Sequence, residues 1–346
     1  MGFAAVEREW LQTLCSIPGV SGDERSVAEE VLRLARPWVD DARFDPLGNL
    51  ILTRHWDGPG PRLVLSAHMD EVGLLVTAID KDGTLRFGVV GGIDPRILPG
   101  VSVRVGAKGR PGVVMGPPIH LAGVSEREQA LASDRLRIDI GAADRQQAEQ
   151  TVSVGDVACF ASEPGDLGRL FAARALDDRA GVAAIVSVLR ATRASAVPLA
   201  VAFTVQEEIG TRGAAAAAQS LRPDIAVVVE TTTAADLPEV EAHRQVTRLG
   251  RGPALTVQDS GMIASREVTG ALRAAAQAAG VAFQRKESSS GGTDGARFAA
   301  LGARCAVVSL PCRYLHAPRG VMDPDDLDGM AVLLTRWIED RAATRP

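Results

Sequence analysis

The chain has 346 residues, 46% of them hydrophobic and 23% charged, at a mean hydropathy of +0.07, which describes a globular protein with a sizeable core and excludes disordered and fibrous classes. A formal charge of −5 provides no cationic field for a phosphate backbone, so nucleic acid is not an expected partner. No apolar run is long enough to span a bilayer, the start MGFAAVEREW lacks the regions of a signal peptide, and Val6 breaks the myristoylation pattern; no membrane association is expected, and the simplest location is the cytoplasm.

Ser21 and Glu24 have the spacing of a capping box, and Val27, Val31, Leu32 and Leu34 then recur at near-helical intervals, which predicts a helix that stops near Pro37. The runs NLILTR and RLVLSA, separated by DGPGP, read as two strands. From about Val72 to Ala161 short apolar stretches alternate with KDG, GGIDP, LPG and GAKGRPG, the texture of a compact β-rich unit with helical patches near SEREQALAS and ADRQQAEQ. After Arg174 the pattern becomes α/β. A helix is expected in DDRAGVAAIVSVLRAT, a strand in LAVAFTV, a helix near GAAAAAQSL, a strand in IAVVV, and a last helix over roughly Asp325 to Arg341. The organisation that follows is one α/β domain, residues 1–71 and 162–346, split by a β-rich insertion at 72–161. Cys15, Cys159, Cys305 and Cys312 lack paired metal-site spacing and read as reduced, mostly buried apolar residues.

Chemistry-bearing side chains stand where these apolar runs end. His68 follows RLVLSA, Glu207 and Glu208 follow LAVAFTVQ, Glu230 closes IAVVV, and His316 comes soon after CAVVSL. Ligands of open α/β sheets bind outside the carboxyl ends of the strands, so these placements converge on one crevice, and they are the residue types a pair of divalent cations needs. Asp70, two residues past His68, suits a hydrogen bond to the imidazole's second nitrogen. Asp177 and Asp178 lie at a helix start, where dipole and capping already favour carboxylates, while a metal reading makes one of them a bridge between two ions. Glu207 and Glu208 repel one another unless cations or protons intervene, and successive side chains of an extended segment point apart, so one Glu is free to bind metal while its neighbour faces the reacting water. His55, His120 and His243 lack such companions. The Ser/Gly stretch at 288–295 suits a loop where backbone approaches a ligand, and the run QDSGMI is expected to share the cleft wall with it.

The fragments HMDEVG, LDDRAG, EEIGTRGA, TTTAADLP, GGTDGARF and RYLHAP, in this order from His68 to His316, closely resemble the tetrahedral (glutamyl or deblocking) aminopeptidase family of dinuclear metallopeptidases. The resemblance implies a phosphorylase/hydrolase-like α/β catalytic domain with a mixed sheet and a smaller barrel-like insertion. It implies further that Asp177 bridges two divalent metal ions, that His68 and Glu230 complete one site and Glu208 and His316 the other, with Glu207 as general base and Asp70 supporting His68. At the place of Glu230 the family often has Asp, so this chain carries a longer arm there. Zinc or cobalt, with manganese as a third option, suits such donors. An insertion between His68 and Asp177 agrees with this family rather than with related carboxypeptidases and deacylases, and implies self-association into a dodecamer built from dimers.

The activity so implied is hydrolysis of the amino-terminal residue from short peptides by a water activated between two metals. Two rivals differ in kind. A glycosidase (endoglucanase-type) would also use paired carboxylates but needs no metal, and its sugar groove favours aromatics, of which the chain has four Trp and one Tyr. A non-catalytic assembly protein of the same fold would have no need of a full ligand set.

Overall fold

A computed structural model of the chain describes residues 6–118, 131–286 and 291–343. Strands β1 (Asp41–Phe44), β2 (Leu50–Arg54) and β3 (Leu63–His68) open the main sheet. Strands β4 (Gly73–Ile79), β5 (Leu85–Val90), β6 (Ser102–Val105), β7 (Arg110–Met115), β8 (Arg137–Asp139) and β9 (Val157–Phe160) then close into a barrel. The chain returns through β10 (Gly165–Leu167), β11 (Leu170–Ala173), β12 (Leu199–Thr204), β13 (Ile225–Thr233), β14 (Ala254–Thr256), β15 (Gln284–Lys286), β16 (Arg304–Arg313) and β17 (Gly320–Met322). The main sheet is mixed and eleven-stranded, in the order β1-β2-β12-β3-β13-β16-β17-β11-β10, with β14 on β16 and β15 beyond it. Its centre is parallel: β12, β3, β13 and β16 all run the same way. Four carboxyl ends therefore fall on one edge, as expected for a sheet whose crevice lies past its strand ends.

Helices cover both faces, which is why β3 and β12 are buried along their whole length and read as continuous apolar runs rather than alternating ones. The two faces differ in grain. Leu63, Leu65, Val201, Phe203, Val227 and Val229 pack against a central helix through Val182, Ile185, Val186 and Leu189, with Trp337 beyond. On the opposite face Ala200, Ala202 and Ala226 meet Ala214, Ala217 and Ala218, small against small. That pairing is what the alanine run accomplishes: a helix on the sheet with little side chain between them. The helices are α1 (Arg8–Ser16), α2 (Arg25–Ala35), the short α3 (Arg145–Glu149), the central α4 (Leu176–Ala191), the alanine-rich α5 (Arg212–Leu221), α6 (Arg266–Ala278), α7 (Gly295–Ala300) and α8 (Pro324–Ala343). The barrel holds its own core of Leu74, Val76, Leu85, Val103, Val105, Val114, Leu136, Ile138 and Phe160. The four cysteines are buried and unpaired.

Several local expectations change. No capping box forms at α2: the Ser21 hydroxyl donates to Asp70 Oδ2 at 2.6 Å, and Glu24 accepts instead from the backbone N–H groups of Gly22 and Gln206. A long-range acceptor has outcompeted the local one. Glu230 does not close its strand, because β13 runs on through the three threonines. Glu207 and Glu208 are not on an extended segment; after β12 the chain turns through Gln206 at φ +56°, so the alternation argument for their divergence does not apply. Asp177 and Asp178 lie inside the span of α4 but with non-helical dihedrals and a cis peptide between them. The helical patch near SEREQALAS falls mostly outside the described residues, with His120 and Ser288 to Ser290, while ADRQQAEQ forms α3.

Candidate metal centre

Pleat and register bring the first two ligand candidates together. Strands β3 and β13 pair in parallel with Ser66 opposite Val228. Continuing two residues along both strands preserves side-chain phase and sets His68 level with Glu230; His68 Nε2 is 3.3 Å from Glu230 Oε1. Asp177, from the start of α4, reaches the same place: its Oδ1 lies 3.1 Å from His68 Nε2, and its Oδ2 lies 3.2 Å from His316 Nε2. His316 stands three residues past β16 at φ +56°, with Glu208 Oε1 3.2 Å from its Nε2. Two triads of donor atoms result, His68 with Asp177 and Glu230, and Asp177 with Glu208 and His316, each gathered within 4.8 Å. The Asp177 carboxylate belongs to both, one oxygen to each.

Both imidazoles are held from behind. His68 Nδ1 is 3.1 Å from the Asp70 carbonyl oxygen and 3.4 Å from Asp70 Oδ1, so the main chain is the nearer acceptor. The Asp70 carboxylate, fully buried, also accepts the backbone N–H groups of Glu207 at 3.0 Å and Glu208 at 3.1 Å, and fixes the turn that carries them. His316 Nδ1 is 2.9 Å from the carbonyl of Gly92 in the barrel. The insertion thus orients a side chain of the α/β domain. It comes that close because a Cβ on Gly92 would already sit 3.3 Å from His316 Nδ1, and one on Gly91 would collide with Val72.

The electrostatics are those of crowded, buried acids. Burial, then repulsion from Glu230, Asp294 and Glu208, pushes Glu207 up to about 10 against the relief provided by His68. Burial and Asp177 raise Glu230 to about 8, again opposed by His68. Glu208 is raised by burial first, and Asp178 well above the carboxylate range by burial and Glu230. Asp177 is held low because its hydrogen bonds to His316 and His68 outweigh its burial. Burial opposes charge on both histidines, yet their carboxylate neighbours prevail, taking His316 up to about 11 and His68 well above its ordinary value. Asp70 stays below the usual range because His68, Ser21 and the Glu207 N–H overcome its burial. Added positive charge would relieve the crowding. The Glu208 Oε1 atom is buried without a hydrogen-bond donor although His316 Nε2 is near, and Asp178 Oδ2 is likewise unpartnered. A borderline divalent cation, which accepts both imidazole nitrogen and carboxylate oxygen, fits that donor set.

The triads open into a cleft of about 440 Å³, walled by Thr231, Thr232, Thr233, Thr293, Lys286 and the Gly291–Gly292 backbone, with Glu207 also among its lining. Of the Ser/Gly stretch, Gly291, Gly292 and Thr293 line the cleft. No residue of QDSGMI is among those lining the cleft, contrary to expectation; Asp259 stands behind it and accepts the Thr293 hydroxyl. Sequence reasoning did not find Ser21, Gly92, Lys286 or Thr204, whose hydroxyl donates to buried Asp294 behind Glu207. Glu71 of HMDEVG faces away, paired with Arg174 and Arg179 in a separate buried cluster.

A profile of the family described as M42 glutamyl aminopeptidase matches residues 48–333. A putative aminopeptidase of Acetivibrio thermocellus is 35% identical over 95% of this chain and 97% of its own length. The lysyl aminopeptidase of Pyrococcus furiosus is 31% identical over 97% of each. Among solved structures, the TET1 peptidase of Pyrococcus horikoshii, which can assemble into a tetrahedron or a large octahedral shell, superposes with a TM-score of 0.83 at 33% identity, covering 95% of this chain and 98% of that one.

Proposed function

The chain belongs to the M42 glutamyl aminopeptidase family, and from that premise we propose that it removes the amino-terminal residue of short peptides with two divalent cations, zinc, cobalt or manganese, seated in the two triads. The observation that carries this reading is Asp177, which turns one carboxylate oxygen to His68 and the other to His316. When bound, such a pair supplies Lewis acidity toward the scissile carbonyl and makes water acidic near neutral pH.

The chain's own groups do the rest. Glu207, which lines the cleft and is not a member of either triad, accepts the proton of the attacking water and returns it to the leaving amine; cation charge beside it would offset the repulsion from Glu230 and Glu208 that helps raise its pKa, and would favour the ionised form that takes up that proton. Asp70 positions: it steadies the His68 ring and pins the backbone on which Glu207 and Glu208 ride. On the threonine wall, Thr232 and Thr233 offer hydroxyls to the peptide, while those of Thr231 and Thr293 are engaged within the protein.

Residues 72–161 are the self-association unit in this proposal, and the dodecamer is built from dimers through it. Val113 and Met115 support it, being 45% and 43% exposed on β7 of the barrel, as does the shell-forming relative. Among the described residues no helix is long and apolar enough to cross a membrane. The test is to strip the protein with a chelator and restore zinc, cobalt or manganese in turn against a panel of aminoacyl chromogenic substrates. Cleavage should vanish and return, with two ions bound per chain at saturation. Cleavage that survives complete chelation sinks the proposal.

A further inference from the structure

Around the triads the charged lining is acidic, and Lys286 is the exception. It is the one lysine or arginine among the described residues that line the cleft. Its backbone is not on a free loop: it ends β15, opposite Thr256 of β14, so the side chain springs from a paired strand. Burial lowers its pKa, and only the fields of Glu230 and Asp259 work the other way.

Neither of those carboxylates lies within ion-pair distance of it, and both have other partners. Glu230 Oε1 is engaged by His68 and by the Thr231 N–H at 3.0 Å. Asp259 accepts the N–H groups of Gly261 and Met262, both at 2.8 Å, and the Thr293 hydroxyl at 2.9 Å. Among the described residues no carboxylate lies within ion-pair distance of the Lys286 ammonium, and the neighbouring wall of Thr232, Thr233, Val246 and Gly292 is uncharged. A half-buried cation on a paired strand, with no counter-ion among the described residues, is costly unless something that enters the cleft brings one.

We propose that Lys286 is a specificity residue that pairs with a carboxylate of the peptide substrate, at a point separate from the scissile bond. This rests on the aminopeptidase reading and adds to it the substrate class. Two sources carry that chemistry: the side chain of an acidic amino-terminal residue, and the free α-carboxylate of a dipeptide. The family description and the lysyl relative point to opposite side-chain charges, so kinship does not decide the matter.

The experiment compares kcat/KM ratios in the full-length, cation-loaded enzyme. One arm sets glutamyl against leucyl chromogenic amides, which have no α-carboxylate; the other sets Ala-Ala against its carboxamide. Each ratio is internal to a variant and so independent of its folded fraction. The wild type should favour the carboxylate-bearing substrate in one arm, which identifies the source. Lys286→Gln should erase that preference by roughly 10- to 100-fold, the worth of a charge-assisted contact, chiefly through KM. Lys286→Arg should retain it, and Lys286→Glu should shift preference toward a lysyl amide if the side chain is the source. Neutral substrates cleaved normally, with both ratios in Lys286→Gln within twofold of wild type, overturn the assignment while leaving the aminopeptidase reading intact. No cleavage of any substrate by the wild type with any of the three metals overturns both.

Discussion

Asp70 shows how much a single buried carboxylate organises. It faces His68 on one side and, on the other, receives the N–H groups of both glutamates that enter the site. Glu207 and Glu208, neighbours in sequence, thereby take different directions without an extended backbone. The two residues should fail differently when replaced. Glu207→Gln keeps size and hydrogen bonding but cannot take up the water's proton, so kcat should fall by about 10²–10⁴-fold with two ions still bound. Asp70→Ala should weaken both metal affinity and activity, by about 10–100-fold each, because it loosens ligand and base together. Metal stoichiometry and single-turnover rates on the same samples separate the two. Wild-type turnover by Glu207→Gln would remove that residue from its role. These residues were readable as chemistry, since a Glu pair after LAVAFTV is hard to explain as surface. Their supports were not: Ser21 meets Asp70 across 49 positions, and Gly92 meets His316 across 224.

At the scale of elements, the turn between β12 and α5 is clamped by an asparagine that looks unremarkable in NLILTR. Asn49, fully buried, accepts the Val205 N–H through Oδ1 at 3.0 Å and donates to the Gly213 carbonyl at 2.9 Å. Gly213 must be glycine here, because an added Cβ would fall 2.3 Å from Asn49 Oδ1 and 2.4 Å from the Val205 carbonyl oxygen. Gly213→Ala should therefore cost about 1–3 kcal/mol in stability and displace the turn that carries Glu207 and Glu208. Denaturant melts and kcat together check this. A variant as stable and as active as wild type would mean the turn yields freely. The strands were legible as apolar runs because both sheet faces are covered. The turn was not, since its geometry depends on a strand and a helix distant in sequence.

The whole molecule carries a proton signature that follows from the site. Glu230 at about 8, Glu207 at about 10 and His316 at about 11 all lie above their ordinary values, so the metal-free folded chain holds protons that the unfolded chain releases. Such contributions are fully present below the unfolded pKa values and are lost as pH rises through the folded ones. Between roughly pH 6.5, where an unfolded histidine titrates, and pH 8, the three slopes have one sign. Metal-free protein should melt at progressively lower temperature across that window. The cation-saturated protein should hold or gain stability over the same range, because ligands bind in their deprotonated forms. Thermal melts at fixed ionic strength decide it, and a metal-free melting temperature that climbs with pH contradicts the proton inventory.

The sequence by itself determined the α/β class with its β-rich interruption, the family, and which residue types stand near the strand ends, because burial on two faces leaves continuous apolar runs and metal-binding chemistry restricts donors to a few side chains. Only the tertiary structure decided that β3 and β13 share a register that levels His68 with Glu230, and that the barrel reaches back to hold His316. It also placed Lys286, inconspicuous in QRKESSS, as a cation in the cleft with no counter-ion among the described residues. Such facts depend on distances between residues far apart in the chain, and no local pattern of side chains encodes them.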